Sequence, residues 1–565
     1  MGKPVIATST KSKLGATASM NWFLDSKESA PVAATFRPLI NGKEAFTTLH
    51  EKIEKAEHSI DIAIWGFQPS MHLKRDGKSK CIGDLLIEKA KAGVQVRILV
   101  WSIPFKIQTF SEANMGNAPG VFSGGVAGVT KAQKQYDRNW YLAREGKLHT
   151  LDPHASQNIQ KSYPHLWELS KSSYQNNLKF KTRSVESQSN QYEDKELPEN
   201  AKATLRLFPS HHQKTVLIDY EVPHKAVGFV MEHNMLDNYW DDNSHISGKV
   251  SAPNQGKNVD TPLQDVSSIV SGEVLWYINR NFCQSWDKVS SEKLGEKRKA
   301  LTFDKYPFNK SAGGTPLMAQ ILRTYDKPDI EDIKKIYLQN IKRVTSYIYT
   351  ENQYFRWPPL AEAFIKHWQN LRSKGRPANM PIHWFVVTNS SNDGLGKGTY
   401  TTNKMLEKLG RQDVMPNVAL THTDRIEFLE ASLGNNHAQG QGSASTIAKW
   451  KRELAELKEE QKQRSGTREQ SYTKNAEEVR EKEFAKKLKK ELGIKVHVCT
   501  LTASNAWKEV YIHSKVSIID DVFTVISSAN LNTRSMQVDT ELGIFTENGA
   551  VARKLRKDLW KLHTR

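Results

Sequence analysis

The 565-residue chain has only three cysteines, Cys81, Cys283 and Cys499, and they lie far apart. That spacing excludes a disulfide framework and any clustered thiolate metal site. No apolar run is long enough to span a bilayer. The first residues, Met1 to Thr10, lack the apolar core of a secretory signal, so export is expected to use a route without a cleaved signal peptide. Acidic residues are in the minority. Asp plus Glu number 62 against 81 Lys plus Arg, a net charge of +19. That balance favours an anionic partner, a phospholipid surface or nucleic acid, and charge alone does not choose between them. Apolar residues at 38% and charged residues at 25% are compatible with a soluble globular protein of two to four ordinary domains.

What is present is one unusual stretch used twice. Near the C-terminus, His513-Ser514-Lys515-Val516-Ser517-Ile518-Ile519-Asp520 is closed by Ser527-Ser528-Ala529-Asn530. Two residues apart on a strand, His513 and Lys515 share a face. Val516 to Ile519 suits a buried strand, Asp520-Asp521 a turn, and Val522 to Ile526 the returning strand. An imidazole, a cation and hydrogen-bond donors then face one point, as a phosphoryl group requires. The same His-x-Lys-x4-Asp spacing occurs in His212-Gln213-Lys214-Thr215-Val216-Leu217-Ile218-Asp219, followed by Val227 to Val230 and Met231-Glu232-His233-Asn234. One copy could be a strand with a chance His and Lys. Two copies, each followed by an apolar strand and an asparagine, argue against chance.

The order of elements repeats as well. A helical pattern from Gly42 to about Glu57, a strand from Ile60 to Trp65, a helix from Ile82 to Ala92 and a strand from Val94 to Trp101 form a β-α-β run. A second run starts near Leu322, with helices at Ile330–Arg343 and Pro359–Leu371 and strands at Tyr347–Glu351, Ile382–Thr388 and Lys495–Leu501. The chain therefore reads as an internal duplication, with the two motifs facing each other across one cleft. Residues 1–33 read as an N-terminal arm in which Trp22-Phe23-Leu24 dock on the body. Residues 34–300 read as the first half and 301–565 as the second. A polar insertion at about 106–203, with scattered aromatics, reads as ordered cover over part of the site. A Lys/Glu-rich insertion at about 389–492 reads as a solvated helical hairpin, with a partner-binding arm as the alternative.

The paired motifs resemble the two HKD motifs of the phospholipase D superfamily. Ser59 to Phe67, Gly93 to Trp101 and Ser346 to Phe355 resemble the openings of that fold's halves. The resemblance implies an α/β fold of two mixed sheets flanked by helices, with the active site between the halves. It departs at Met231-Glu232 and at Ser527, where the family has small residues. It implies catalytic roles for His212, Lys214, Asp219, His513, Lys515, Asp520, Asp265 and Glu541, and phosphate binding by Lys214, Asn234, Lys515 and Asn530. In that scheme His212 attacks phosphorus and forms a phosphohistidine, while His513 protonates the leaving alcohol. Glu541 orients His212 and Asp265 orients His513, each acid serving the histidine of the other half. Asp219 and Asp520 are expected to stabilise the strand turns, and His211 and His233 to be bystanders. No cofactor and no metal are expected.

Ala34 to Leu39, Val230 to Asp241 and Asn281 to Asp287 are similar to bacterial phospholipase D toxins delivered by type VI secretion. The implied function is hydrolysis of phosphoglycerides to phosphatidic acid and free head group, as an antibacterial effector acting in the target-cell periplasm. The implied partners are a phospholipid membrane surface, secretion machinery and an immunity protein, with the protein itself a monomer. The enzymatic alternative is a nuclease or other phosphodiesterase of the same superfamily acting on nucleic acid. The alternative from a different class is a catalytically dead scaffold, against which the intact His, Lys and Asp of both motifs argue.

Overall fold

The structure is a computed structural model that describes residues 5–7, 16–18, 21–102, 129–185, 209–249, 252–390 and 494–564, with isolated positions between 402 and 458. Val32–Ile40 (β1) runs into Asn41–Glu54 (α1), whose Ala45, Phe46, Leu49 and Ile53 recur at helical spacing and are buried. Ser59–Ile64 (β2), Ile82–Lys91 (α2) and Gln95–Trp101 (β3) follow as the expected β-α-β unit. Next come Lys131–Arg144 (α3), Pro153–Ser162 (α4), Pro164–Lys171 (α5) and Leu178–Arg183 (β4). Thr215–Ile218 (β5), Val227–Val230 (β6), Val266–Gly272 (β7) and Val274–Trp286 (α6) complete the first run.

The second run is Thr315–Tyr325 (β8), Asp332–Asn340 (α7), Tyr347–Asn352 (β9), Pro358–Ser373 (α8) and Ile382–Val387 (β10). It continues with Ile494–Cys499 (β11), Lys515–Ile519 (β12), Phe523–Ser527 (β13), Glu541–Glu547 (β14) and Gly549–His563 (α9).

These strands form one continuous sheet in the order β11-β10-β9-β12-β13-β14-β8-β1-β7-β6-β5-β2-β3-β4. From either edge inward the pattern is the same. Three parallel strands are followed by antiparallel ones, and β12 lies beside β9 as β5 lies beside β2. The expectation of two sheets is corrected by one contact. The inner edges β1 and β8 pair antiparallel, from Thr315 opposite Phe36 to Ala319 opposite Val32. Left apart, each would present an unpaired row of N–H and C=O groups.

Side chains alternate between the two faces, so each strand feeds two cores. Ile60, Ile62 and Ile64 pack under α1, α2 and α3, and Ile348, Trp384 and Ile519 under α7 and α8. The opposite face is shared by both halves. There Val274, Leu275 and Ile278 of α6 join Val551, Leu555 and Leu559 of α9 over Val270, Ile518, Ile526 and Ile544. Trp22 of the arm is buried, stacks on Phe523 with ring centroids 5.6 Å apart, and accepts a 2.9 Å hydrogen bond at its carbonyl from Asn340.

The described residues of the first insertion are part of the sheet and core. Its Leu178–Arg183 pairs in parallel with β3 as the sheet edge, and Trp140 and Leu166 of α3 and α5 are core residues packed with Phe67 and Phe180. The second insertion lies almost wholly outside the described residues. No described helix is long and apolar enough to cross a membrane.

Candidate active site

Neither histidine sits inside a strand. β5 opens at Thr215 and β12 at Lys515, so His212 and His513 occupy the approach to each strand, a correction of the alternation expected from spacing. The cause is visible in the backbone. The His212 N–H donates to the carbonyl of Thr540 and that of His513 to the carbonyl of Gln264, both at 2.9 Å. Each histidine is thereby tied to the other half of the molecule.

The acids cross over in the same way. His212 Nδ1 donates to both oxygens of Glu541, each at 3.0 Å, and lies 3.1 Å from the Ser528 carbonyl. His513 Nδ1 donates to Asp265 Oδ2 at 2.7 Å. A carboxylate on Nδ1 fixes the tautomer with the lone pair on Nε2, the nitrogen available for chemistry. Lys214 Nζ lies 3.0 Å from the His212 carbonyl and 3.2 Å from its Nε2, and Lys515 Nζ donates to the His513 carbonyl. Both cations are buried beside the rings they serve.

Burial with two cations sets the protonation states. It holds His212 and His513 well below the usual imidazole value, with Lys214 and Lys515 pushing in the same direction. Burial, and then Lys515, brings Lys214 down to about 7. Burial lowers Lys515 and raises Glu541 to about 7. The same burial thus favours the neutral form of both imidazoles. A phosphate anion beside these groups favours the protonated form of the lysines and of one histidine.

The cleft above these groups measures about 990 Å³ and is lined by His212, His513, Asn234 and Asn530. Trp65 stands edge-on to His212 and Tyr239 edge-on to His513, at ring separations of 6.4 and 4.8 Å. Asn234 Oδ1 accepts the Gly66 N–H at 3.2 Å, which leaves its amide NH2 as the donor group. A Cβ on Gly66 would fall 2.7 Å from Leu236 Cδ1, so the leucine side chain packs directly over this glycine.

Asp219 and Asp520 stand elsewhere, in equivalent turns with φ of 53° and 52°. The Asp219 carboxylate accepts the N–H groups of Glu57, His58 and Ser59, and that of Asp520 those of Thr345, Ser346 and Tyr347. Each pins the entry of the neighbouring strand, β2 or β9, and neither lines the cleft. His211 is buried against Thr540 Oγ1 at 2.6 Å and Arg183 at 3.2 Å, and His233 against Ser267 Oγ at 2.7 Å.

Several residues of the site carry no motif signal. Ser528 donates its hydroxyl to the Glu541 carboxylate while its own N–H holds Leu542. Glu232, fully buried, accepts the Lys515 backbone N–H. It stands close enough to Asp265 that this acid, after burial itself, raises the Glu232 carboxyl well above its usual range. Arg534 pairs with Asp539 at 2.7 Å on the cleft wall. The departure at Met231-Glu232 was the available signal for Glu232. Ser528 could be suspected only from its place beside Asn530.

Two opposed imidazoles with one acid each, two buried cations and two asparagines can stabilise a five-coordinate phosphorus while one ring attacks and the other moves a proton.

Comparison with known proteins agrees with this geometry. A family described as "Cardiolipin synthase, PLD-like domain" matches residues 458–563. Phospholipase D alpha 4 of Arabidopsis thaliana is 21% identical over 94% of this chain and 65% of its own length. Phospholipase D alpha 1 of Oryza sativa subsp. japonica is 21% identical over 88% and 60%. The cardiolipin synthase of Geobacillus sp. (strain WCH70) is 37% identical over a short stretch, 13% of each chain. The chain thus spans less than two thirds of the plant relatives it matches. These likenesses support membership of the phospholipase D superfamily and phosphodiesterase-type chemistry.

Proposed function

We propose that the protein is a phospholipase D. It hydrolyses the distal phosphodiester of a phosphoglyceride to phosphatidic acid and a free head-group alcohol. One observation carries the reading: each histidine takes its acid from the other half, His212 from Glu541 and His513 from Asp265, with Lys214 and Lys515 beside them.

In the first step His212 Nε2 forms a bond to phosphorus. The bond to the head-group oxygen breaks, and His513 Nε2, protonated in the complex, gives its proton to that oxygen. In the second step His513 takes a proton from water. The resulting hydroxide oxygen bonds to phosphorus, the N–P bond breaks, and phosphatidic acid leaves. Lys214, Lys515, Asn234 and Asn530 bind the phosphoryl oxygens, where charge grows in each transition state.

The choice of lipid over nucleic acid is supported by the rim. Leu501–Thr502 and Glu509–Ile512 form a hairpin, which pairs with Leu263–Gln264 at the cleft wall. Trp507 at its tip is 96% exposed. The tip is tied by Ser504 to the His245 carbonyl and by Asn505 to Ser247, next to Ile246, another exposed apolar residue. A tryptophan held out at the mouth of a cleft suits the bilayer interface. The nuclease alternative draws on the cleft-lining Arg356, Arg534 and Lys249. The similarity of Val230 to Asp241 to type VI phospholipase D toxins supports the finer reading of a secreted antibacterial effector.

The test runs head-group release from mixed bilayers beside plasmid cleavage under the same conditions. Release of choline, ethanolamine or serine with intact plasmid is the expected outcome. Plasmid cleavage without head-group release overturns the reading. Growth arrest on targeting the chain to a bacterial periplasm, absent from the His513→Ala variant, tests the effector role.

A further inference from the structure

The two-histidine chemistry leaves three cations of the cleft unused, Lys249, Arg356 and Arg534, and Arg534 is paired with Asp539. Phe355–Arg356 runs parallel to Leu531–Asn532, with Arg356 opposite Asn532 in the register. Arg356, Asn530, Asn532 and Arg534 all line the cleft. Arg534 acts electrostatically on both Arg356 and His212, which puts the three on one stretch of wall.

The Arg356 guanidinium lies over the ring of Tyr354, its Cζ 3.9 Å from the centroid. Stacking against the ring holds the fork in place and leaves its N–H edge open. Nη1 is buried and has no hydrogen-bond acceptor. The acids that line the cleft are engaged elsewhere. Asp539 holds Arg534 and the Ser210 N–H, and Asp260 holds Lys508. A buried donor without an acceptor is costly, and more so when it carries charge. A stacked, unpaired guanidinium facing a cleft is suited to two oxygens of one anion.

We propose that Arg356 anchors a second anion subsite beside the phosphate site, so that the preferred head group carries an anionic group of its own, a carboxylate or a second phosphate. The proposal rests on the phospholipase D reading and adds the substrate class. The scissile phosphate binds at Lys214, Lys515, Asn234 and Asn530, and the extra anion meets the edge of the Arg356 guanidinium that lines the cleft. A head group without such an anion leaves that guanidinium unpaired in the complex. Discrimination by an unpaired buried polar group is steeper than discrimination by size.

The experiment uses short-chain phospholipids below their aggregation concentration, so that membrane docking does not enter. Serine, phosphorylated inositol, ethanolamine and choline head groups are compared for the wild type, Arg356→Gln and Arg356→Lys. The readout is the ratio of kcat/KM for each anionic head group to that for choline. The expected wild-type ratio is about tenfold or more for serine, for phosphorylated inositol or for both, and Arg356→Gln brings it to about one. Arg356→Lys keeps part of it, because a point charge replaces the fork. A ratio that collapses for serine alone identifies a carboxylate, and one that collapses for the inositol phosphate alone a phosphate.

A wild-type ratio near one overturns the proposal. So does an Arg356→Gln variant that slows every substrate equally, which would place the arginine on the scissile phosphate or in the wall. A loss confined to a short oligonucleotide assayed alongside overturns it in favour of a nucleic-acid substrate. Absence of head-group release from any lipid overturns the phospholipase D reading and the proposal with it, whereas release without preference overturns the proposal alone. Thermal unfolding of both variants identifies a folding defect, and Arg356→Lys keeps the test alive if Arg356→Gln does not fold.

Discussion

The two histidine sites share a spacing but not a setting. His212 keeps 15% of its side chain exposed, whereas His513 keeps 3%. Behind His212, Glu541 takes the Ser528 hydroxyl. At the matching place behind His513 stands Glu232, a second buried carboxyl beside Asp265. One acid is steadied by a neutral donor and the other by a neighbour of its own kind. This asymmetry fits different tasks. In the proposed scheme the more open ring attacks the incoming phosphorus, and the enclosed ring, oriented by Asp265, passes its proton to the leaving alcohol.

The largest effects should ignore the asymmetry. His212→Ala and His513→Ala are each expected to remove activity almost completely, and the double variant to be no worse, because the pair acts as one unit. Either variant retaining a tenth of wild-type head-group release would take that histidine out of the chemistry. Lys214→Ala and Lys515→Ala should each cost about 3–4 kcal/mol of transition-state stabilisation, read from kcat/KM.

The asymmetry is tested next with a p-nitrophenyl phosphodiester, whose leaving group needs no proton. His513→Asn should give a burst of p-nitrophenol and leave the phosphoryl adduct on His212, whereas His212→Asn should give none. Mass spectrometry finding the adduct on His513 reverses the roles. Inversion at phosphorus with no adduct on either ring removes the covalent intermediate.

A smaller difference should separate the acids. Glu541→Gln and Asp265→Asn each allow the wrong tautomer, with an expected loss of about 10²- to 10⁴-fold in kcat. Ser528→Ala should lose far less than Glu541→Gln, because the serine acts only through Glu541. Equal losses would assign the serine a direct role at phosphorus.

The sequence made the chemistry more legible than the frame. The His and Asn of both motifs line one cleft, with each Lys beside its His, because a fixed spacing before a buried strand leaves few ways to place them, whereas Asp265 and Glu541 were legible only through the family resemblance. The β-α-β boundaries lay within a few residues, since apolar alternation and helical periodicity are local signals. β1 and β8, which join the halves, were harder to see. Each contains a proline, Pro38 or Pro316, which argues locally against a central strand. β4 was hidden because Leu178–Arg183 alternates with lysines inside a polar insertion, and its place at the sheet edge depends on pairing with β3. His212 and His513 leave their strands because of backbone bonds to Thr540 and Gln264, contacts across more than 200 residues that no local pattern encodes.

The finest test of the asymmetry is Glu232→Gln. Burial and Asp265 raise the Glu232 carboxyl well above its usual range, so it keeps its proton in the folded state where an unfolded carboxyl has lost it. Above about pH 4.3, the ordinary glutamate value, the folded state therefore binds the extra proton. Stability from this group is fully present below that pH and is lost as pH rises through the folded pKa, at no more than about 1.4 kcal/mol per unit. Glutamine keeps the shape of the protonated acid and cannot titrate. Urea unfolding between pH 5 and 8 should show wild-type stability falling relative to Glu232→Gln as pH rises. Glu541 and Asp539 shift in the same direction and are common to both proteins, so the difference isolates Glu232. A difference that stays constant across that range would mean that Glu232 is ionised throughout and that burial beside Asp265 does not hold its proton.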